Sequence, residues 1–296
     1  MTIGRTICLY GDSNGGKTTQ AAQLAKCVKR TQGKRTRLYK SDPGGHAAFG
    51  PLVERGMVDL IEFEPTDDPW VWTNDAVEGR GRDGSPLPDD IGLIVFDSGT
   101  SMGDECMKGA AKQGDLGGRP APRFTIKSTV KGRPNLDIKS NSDSHYMVVQ
   151  TFMHDMINKS TWLTRKGVDV LWTFAAHRVT NQGKKETGDM GVKYGDTEVG
   201  PKLVGNALTR HAPRWFNYTF PLTVEAGSGS AAIHRLHLEP YRDNHEVIWF
   251  ANSRWPLEAT SPCPPMLEPA DLPKALELLA QAEAEARAAL EQEMRG

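Results

Sequence analysis

Apolar positions along the chain alternate between short strand-like runs and one-sided helical segments. The clearest run is 91–97 (IGLIVFD), whose near-continuous apolar character is typical of a strand covered on both faces. Residues 17–31 carry apolar side chains at helical spacing, which predicts an amphipathic helix. The same patterns predict further strands at 5–10, 36–40, 57–63 and 168–176, and a long helix over 145–166. Because strands alternate with helices, we expect an α/β fold with a mostly parallel sheet flanked by helices.

The pattern changes after residue 216. Three short alternating segments predict an antiparallel β extension built from hairpins: 216–226, 231–240 and 245–251. Six prolines within 256–273 predict a stiff linker, and the Ala/Glu/Leu-rich residues 274–296 predict an acidic C-terminal helix. We therefore expect one domain over 1–255, followed by the linker and the helix.

Composition narrows the class of protein. The 296 residues are 38% hydrophobic, enough for a buried core, and a formal net charge of −1 gives no global case for nucleic-acid binding. The four cysteines show neither CxxC pairing nor zinc spacing, which is typical of reduced thiols. No apolar run approaches the ~20 residues of a membrane span, and the N-terminus does not resemble a signal peptide. We expect a cytoplasmic protein without a membrane partner.

A complete phosphate-binding motif follows the first predicted strand. Residues 11–18 (GDSNGGKT) fit G-x-x-x-x-G-K-[ST], with a strand before them and a helix after them. Backbone N–H groups and the positive helix end would bind phosphates, Lys17 would reach the β- and γ-phosphates, and Thr18 would ligate Mg²⁺. The residues expected to contact a nucleotide are Gly11, Asp12, Ser13, Asn14, Gly15, Gly16, Lys17, Thr18 and Thr19.

Carboxylates that end predicted strands complete the expected chemistry. Asp97 ends the strand LIVFD, so its carboxylate should lie beside the phosphate loop and bind Mg²⁺ directly or through water. Asp42, at the end of the predicted strand that begins at residue 36, is a candidate general base for an attacking water. A plain Asp-Pro-Gly-Gly turn is the alternative at Asp42, and Glu62 and Glu64 remain alternative bases.

In this order the features resemble the RecA-like P-loop ATPases. The resemblance implies that Asp42 stands where the family usually has a catalytic Glu, and that Phe49, seven residues on, stacks on adenine; a core position is the alternative for Phe49. GLIVFDSGTSM resembles the segment that carries the metal-linked Asp, here Asp97. DVLWTFAAHRV resembles the strand that ends in a γ-phosphate sensor, which is usually Gln in the family and is His177 here.

Two long polar segments extend this resemblance. RecA proteins bind single-stranded DNA through a Gly-rich loop after the sensor strand, where residues 180–204 carry Lys184, Lys185 and Lys193. A second segment, 107–139, holds eight Lys or Arg residues against two Asp, and such a strip would neutralise phosphates. In these two segments Phe124 and Tyr194 could stack on bases.

Two arginines point to self-assembly. Arg210 and Arg214 stand where the family directs cations at a neighbouring subunit's γ-phosphate, which implies a homo-oligomer, either a ring or a filament.

The resemblance covers about residues 5–225 and is greatest to the minimal RecA-like ATPases of bacteriophages. It implies an ATPase that uses ATP and Mg²⁺, acts on single-stranded DNA in recombination or annealing, and functions in the host cytoplasm. A ring-forming phage ATPase with a protein partner, in DNA packaging or helicase loading, would use the same core and remains the alternative. A small-molecule kinase is less favoured because no Arg-rich lid helix is evident.

Overall fold

Six parallel strands form the centre of the main sheet. The computed structural model describes residues 4–42, 46–112, 124–126, 136–138, 145–180, 196–226 and 232–294. The central strands are β1 (Thr6–Gly11), β2 (Arg35–Lys40), β3 (Val58–Glu62), β4 (Ile91–Asp97), β7 (Asp169–Thr180) and β9 (Tyr218–Ala226). Their order across the sheet is β3–β2–β4–β7–β1–β9. Because they run parallel, their carboxyl ends meet at one edge of the sheet, where ligands of open α/β sheets bind.

Shorter strands extend this sheet on both sides. β10 (Ala232–His237) pairs antiparallel with β9, and β13 (Met266–Leu267) pairs with β10. β8 (Thr197–Pro201) pairs antiparallel with the far end of β7, followed by β12 (Ile248–Trp249) and β11 (Tyr241–Arg242). β5 (Phe124–Ile126) and β6 (Leu136–Ile138) form a separate pair. The predicted α/β fold, with a mostly parallel sheet and an antiparallel extension, is confirmed.

Helices cover both faces of the sheet. The helices are α1 (Lys17–Gln32), α2 (His46–Glu54), α3 (Pro69–Val77), α4 (Gly99–Lys112), α5 (His145–Ser160), α6 (Asn206–His211) and α7 (Leu272–Glu293). Their buried side chains contribute to two apolar clusters: α1, α2 and α7 pack on one face, and α3, α4 and α5 pack on the other. In the described part of the chain, none of these helices has the length and apolar character needed to cross a bilayer.

Several predicted elements need correction. The helix expected over 145–166 ends at Ser160 and continues as a 3₁₀ segment, Thr161–Lys166. Among the described residues, four helices lie where none is predicted, among them α4, which occupies the first residues of the expected basic segment. The short strand expected over 245–251 is only Ile248–Trp249, and it pairs in parallel with β8 and antiparallel with β11.

Three glycines both weaken the helix signal of α4 in the sequence and allow its close packing. Gly99, Gly103 and Gly109 weaken the helix signal in its sequence, because glycine is a poor helix former. A Cβ at Gly109 would lie 2.8 Å from the Pro69 side chain of α3, and one at Gly99 would lie 2.3 Å from the Phe174 ring. The glycines therefore allow α4 to approach α3 and the sheet closely.

The Pro-rich segment 256–273 contacts the sheet directly. It supplies β13 to the sheet, and the Ala270 N–H donates to the His234 carbonyl at 2.9 Å. Helix α7 begins at Leu272, with the Asp271 carboxylate as its N-cap, and its buried residues pack on α1. The C-terminal helix is thus part of the main core.

Candidate nucleotide site

The phosphate loop takes a conformation that its glycines permit. Gly16 has φ of +90° at the N-terminus of α1, and a Cβ at Gly11 would lie 2.3 Å from the Leu222 carbonyl oxygen of β9. The Gly15 N–H donates to the Asp12 carbonyl at 3.1 Å, which closes the turn. The loop thus curls directly from β1 into α1, as its sequence predicts.

Lys17 lies back along this loop. Its Nζ donates to the carbonyl oxygens of Gly11 at 2.9 Å and of Asp12 at 2.8 Å. Burial lowers the pKa of the Lys17 ammonium, while the negative charges of Asp97, Asp12 and Asp42 act in the opposite direction. The cation is therefore held among acceptors at the carboxyl edge of the sheet.

Thr18 and Asp97 lie in direct contact. The Thr18 Oγ1 donates to Asp97 Oδ2 at 3.1 Å, and the Thr173 Oγ1 of β7 donates to Asp97 Oδ1 at 2.6 Å. Asp97 is 4% exposed, and this burial raises its pKa, although both hydroxyl contacts favour the ionised form. The structure thus brings the two expected Mg²⁺ ligands together from separate elements.

A hydroxyl and a carboxylate fit a magnesium ion bound together with a nucleotide. Mg²⁺ keeps several waters and is commonly bound by one or two protein groups plus substrate phosphates. Among the described residues no group of three or more His, Cys, Asp or Glu side chains forms a metal cluster. A nucleotide-dependent site at Thr18 and Asp97 is consistent with that finding.

Asp42 lies beside the end of β4. The backbone N–H groups of Ser41 and Asp42 both face the Asp97 carbonyl, at 3.0 and 3.4 Å, so the ends of β2 and β4 meet. The alternative bases lie differently: Glu62 pairs with Lys40 at 3.5 Å, and Glu64 pairs with Arg82 at 2.9 Å. Asp42 lines the cavity described next, and neither glutamate is among its lining residues.

A cavity of about 860 Å³ opens over the phosphate loop. Its size lies within the ~300–1,000 Å³ range of small-molecule sites. Its walls combine the phosphate loop with α2 and the ends of β4 and β7; the lining residues are Ser13 to Thr19, Ala22, Gln23, Lys26, Asp42, Ala47, Ala48, Pro51, Leu52, Asp97, Ser98, Thr100, Ser101 and Ala175. Sequence reasoning identified Lys17, Thr18 and Thr19 at the start of α1, but not the later α1 residues or the α2 residues, because those depend on how the helices pack.

Phe49 does not reach this cavity. Its side chain is 2% exposed and packs in the core between α1, α2 and the sheet. Its neighbours Ala48, Pro51 and Leu52 face the cavity instead. The expectation that Phe49 stacks on adenine therefore conflicts with its position, because the helix turns this ring towards the core.

His177 lies on β7, two residues beyond Ala175, which lines the cavity. Alternate residues of a strand share a face, so His177 projects on the same side of the sheet as Ala175. At this point β7 has left the end of β4, and His177 pairs with Gly200 of β8. The sensor role of His177 remains a prediction.

Arg210 and Arg214 do not line the cavity over the phosphate loop. Arg210 on α6 contacts Glu198 of β8 at 3.0 Å, and its Nη2 donates to the Thr180 carbonyl at 3.2 Å. Arg214 is exposed in the 3₁₀ segment Ala212–Trp215. If either is catalytic, we therefore expect it to act in a neighbouring subunit.

His234 is a site residue that sequence reasoning missed. It lies on β10, more than 200 residues from the phosphate loop, and its Nδ1 hydrogen-bonds the Gly15 carbonyl at 3.0 Å. A Cβ at Gly16 would lie 3.4 Å from the same nitrogen. A single histidine in a short strand carries no local signal of this contact.

Gln20 provides a second connection, between the helix that follows the phosphate loop and the C-terminal part of the chain. This buried residue of α1 donates to the Ala270 carbonyl at 2.8 Å and accepts from the Leu272 N–H at 2.7 Å. The phosphate loop and the first turn of its helix are thus held by β10 and by the start of α7.

The expected DNA contacts lie mostly outside the described residues. Lys184, Lys185, Lys193 and Tyr194 fall there, as do most of the cations in 107–139. Lys108, which is described, pairs with Glu105 of α4 at 2.6 Å, so it belongs to a helix surface.

No protein-family model and no curated protein matches the chain. Among solved structures, the chain is similar to flagellar accessory protein FlaH from Methanocaldococcus jannaschii, with 9% identity and a TM-score of 0.43 over 80% of this chain and 78% of that one. It is also similar to the KaiC-like protein PH0186 from Pyrococcus horikoshii OT3, with 12% identity and a TM-score of 0.38 over 79% and 78%. A shared fold does not define an activity, so function must be argued from the site.

Proposed function

We propose that the protein binds ATP with Mg²⁺ at the phosphate loop, hydrolyses it, and couples this turnover to single-stranded DNA in recombination or annealing. The observation that carries the proposal is the convergence of Lys17, Thr18 and Asp97 beside a cavity of about 860 Å³. A lysine ammonium, a hydroxyl and a buried carboxylate at the end of a parallel strand are the groups that P-loop ATPases use.

Binding would exchange contacts that the site already makes. Phosphate oxygens would replace the Gly11 and Asp12 carbonyls as partners of the Lys17 ammonium, and they would accept from the backbone N–H groups of the loop. Thr18 and Asp97 would hold Mg²⁺, which when bound neutralises charge on the β- and γ-phosphates. Asp42, at the same cavity, would accept a proton from the attacking water.

A hydroxyl bridge supports coupling between this cavity and the segment expected to bind DNA. The Thr100 side chain lines the cavity, donates to the Lys202 carbonyl at 2.8 Å and accepts from the Ala175 N–H at 3.0 Å. It therefore connects the ends of β4 and β7 with the residue after β8. Residues 181–195 lie between β7 and β8 in sequence, so a change at the phosphates could be transmitted to them.

ATP turnover measured with and without an oligo(dT) strand tests the proposal. We expect hydrolysis that is stimulated by the strand at low salt and less so at moderate salt, with Lys17→Ala as the inactive control. A wild-type protein without turnover would contradict the ATPase assignment. ATP turnover that is the same with and without DNA, at both low and moderate salt, would contradict the DNA role and favour the ring ATPase with a protein partner.

Removing charge from the basic segment provides a DNA-specific test. The triple change of Lys127, Lys131 and Arg133 to Ala should weaken oligo(dT) binding and reduce the log–log salt slope by about 0.7 per lost phosphate contact. Turnover without DNA should stay the same, because these residues are not part of the phosphate loop. Unchanged affinity and slope would show that this segment does not bind DNA.

A further inference from the structure

One tryptophan of this chain is exposed although its surroundings are apolar. Trp162 is 60% exposed, whereas Trp70, Trp172 and Trp249 are at most 4% exposed. It lies in the 3₁₀ segment Thr161–Lys166, just before β7, and therefore at the amino ends of the parallel strands. This edge is opposite the one that carries the phosphate loop.

The 3₁₀ geometry places one cation over the indole. With three residues per turn, side chains at i and i+3 lie above one another. The Arg165 guanidinium accordingly lies over the Trp162 ring, 3.8 Å from its centroid. Leu163 is buried and anchors the segment, and Lys166 follows it by one turn on the exposed side.

A small apolar cavity adjoins this pair. Its volume is about 330 Å³, and its lining residues are Val77, Glu78, Lys159, Trp162, Leu163 and Lys166. Its apolar walls are the buried Val77 and Leu163 and the exposed Trp162, while Lys159 and Lys166 add cations to the lining. A flat apolar group with an attached anion would match this combination.

The acidic residue at the rim is already neutralised. Glu78 accepts from the Lys159 ammonium and pairs with Arg80, and these contacts hold its pKa below the ordinary value although burial alone would raise it. In the described part of the chain, neither Arg165 nor Lys166 forms an ion pair. The surface around Trp162 is therefore cationic.

We infer that Trp162, Arg165 and Lys166 form a contact site for single-stranded DNA, in which a base stacks on the indole–guanidinium pair and the flanking phosphates meet the two cations. Aromatic and guanidinium planes accept any base, and cations beside them bind the backbone, which is how single strands are bound without sequence preference. The choice of DNA as the partner rests on the proposed function, but the site lies outside the phosphate loop and both predicted DNA segments.

Binding of a fluorescein-labelled oligo(dT) to the full chain, followed by anisotropy, tests the site. Trp162→Ala should weaken binding by about fivefold or more, whereas Trp162→Phe, which keeps a ring, should retain most of the affinity. Changing Arg165 and Lys166 to Gln together should reduce the salt slope by about 1.4. ATP turnover without DNA should be the same in all three variants, since the phosphate loop is at the opposite edge.

Matched surface changes serve as controls. Leu257 is 96% exposed, and Lys274 pairs with the neighbouring Glu277 on α7, so Leu257→Ala and Lys274→Gln should leave DNA binding unchanged. Equal affinity of wild type and Trp162→Ala for DNA would overturn the inference, whether or not sedimentation shows a change in the assembly of the variant. Binding that depends only on Lys127, Lys131 and Arg133 would overturn this site while leaving the proposed function intact. No binding by the wild-type protein would overturn both.

Discussion

At the scale of single residues, Asp97 is held in place by both burial and hydrogen bonds. Its carboxylate is almost fully buried, and it accepts hydrogen bonds from Thr18 and Thr173 on two other elements. Burying a charged carboxylate is costly unless hydrogen bonds or a cation compensate it. The fold therefore keeps this group where a metal bound with a nucleotide would relieve that cost.

Asp42 is the residue expected to act in the hydrolysis step itself. Asp42→Asn should lower kcat by about 100-fold or more with little change in ATP affinity, because a general base acts in the transition state. Steady-state turnover and nucleotide titration measure the two quantities. Glu64→Gln is the matched control, since Glu64 pairs with Arg82 outside the cavity. A reversed pattern would assign the base to Glu64.

His237 should make stability depend on pH. Burial, aided by the nearby Arg235 charge, lowers its pKa from 6.5 to about 4, so the folded state disfavours the protonated ring. Its stabilising contribution is complete above pH 6.5 and is lost as pH falls towards 4, at up to about 1.4 kcal/mol per pH unit. Urea unfolding of wild type and His237→Gln between pH 4 and 7.5 measures this. Parallel pH profiles of the two proteins would contradict the assignment.

At the scale of elements, the β9–β10 hairpin and the start of α7 support the phosphate loop. His234 holds the Gly15 carbonyl, and Gln20 connects α1 to Ala270 and Leu272. The backbone of His234 is itself fixed, because its carbonyl accepts from the Ala270 N–H. The loop conformation thus depends on strands and a helix that follow it by more than 200 residues.

The His234 contact should contribute to nucleotide affinity. His234→Ala should weaken ATP binding by about two- to tenfold, the value of one lost hydrogen bond, because the loop loses a fixed donor. His234→Asn should recover part of this affinity, since its amide nitrogen can replace Nδ1. Calorimetric titration measures the affinities, with exposed His245→Ala as control. Equal affinities of wild type and His234→Ala would show that the contact is incidental.

At the scale of the whole molecule, Arg210 has two candidate roles: a structural contact with Glu198, or catalysis in a neighbouring subunit. It contacts Glu198 and the Thr180 carbonyl within its own chain, and it is not among the residues lining the cavity of that chain. If Arg210 is catalytic, we expect it to act on the γ-phosphate of a neighbouring subunit, and its role would then depend on assembly.

Mixed assemblies test that relation. Arg210→Ala should bind ATP normally but lose hydrolysis, and mixing it equally with Lys17→Ala should restore about a quarter of wild-type turnover, because random assembly completes that share of interfaces. Turnover of the mixture, against each variant alone, is the measurement. Absence of any recovery in verified mixed oligomers would place Arg210 in a structural role with Glu198.

The features that the sequence alone determined are those with a local physical cause. The phosphate loop follows from glycines, because only glycine readily takes the backbone path of this loop, and β4 and α1 follow from their apolar spacing. Asp97 was located correctly beside Thr18 because the ends of parallel strands share one edge of the sheet.

Tertiary structure decided the features that depend on which surfaces meet. The glycines of α4 suggest a loop in sequence, yet they allow a helix to approach Trp70 and Phe174. Phe49 faces the core, and the Pro-rich segment joins the sheet through β13. His234 reaches the phosphate loop only because β10 is placed beside β9 and β9 beside β1. No local pattern encodes such contacts, since burial and pairing between distant segments arise only when the whole core packs.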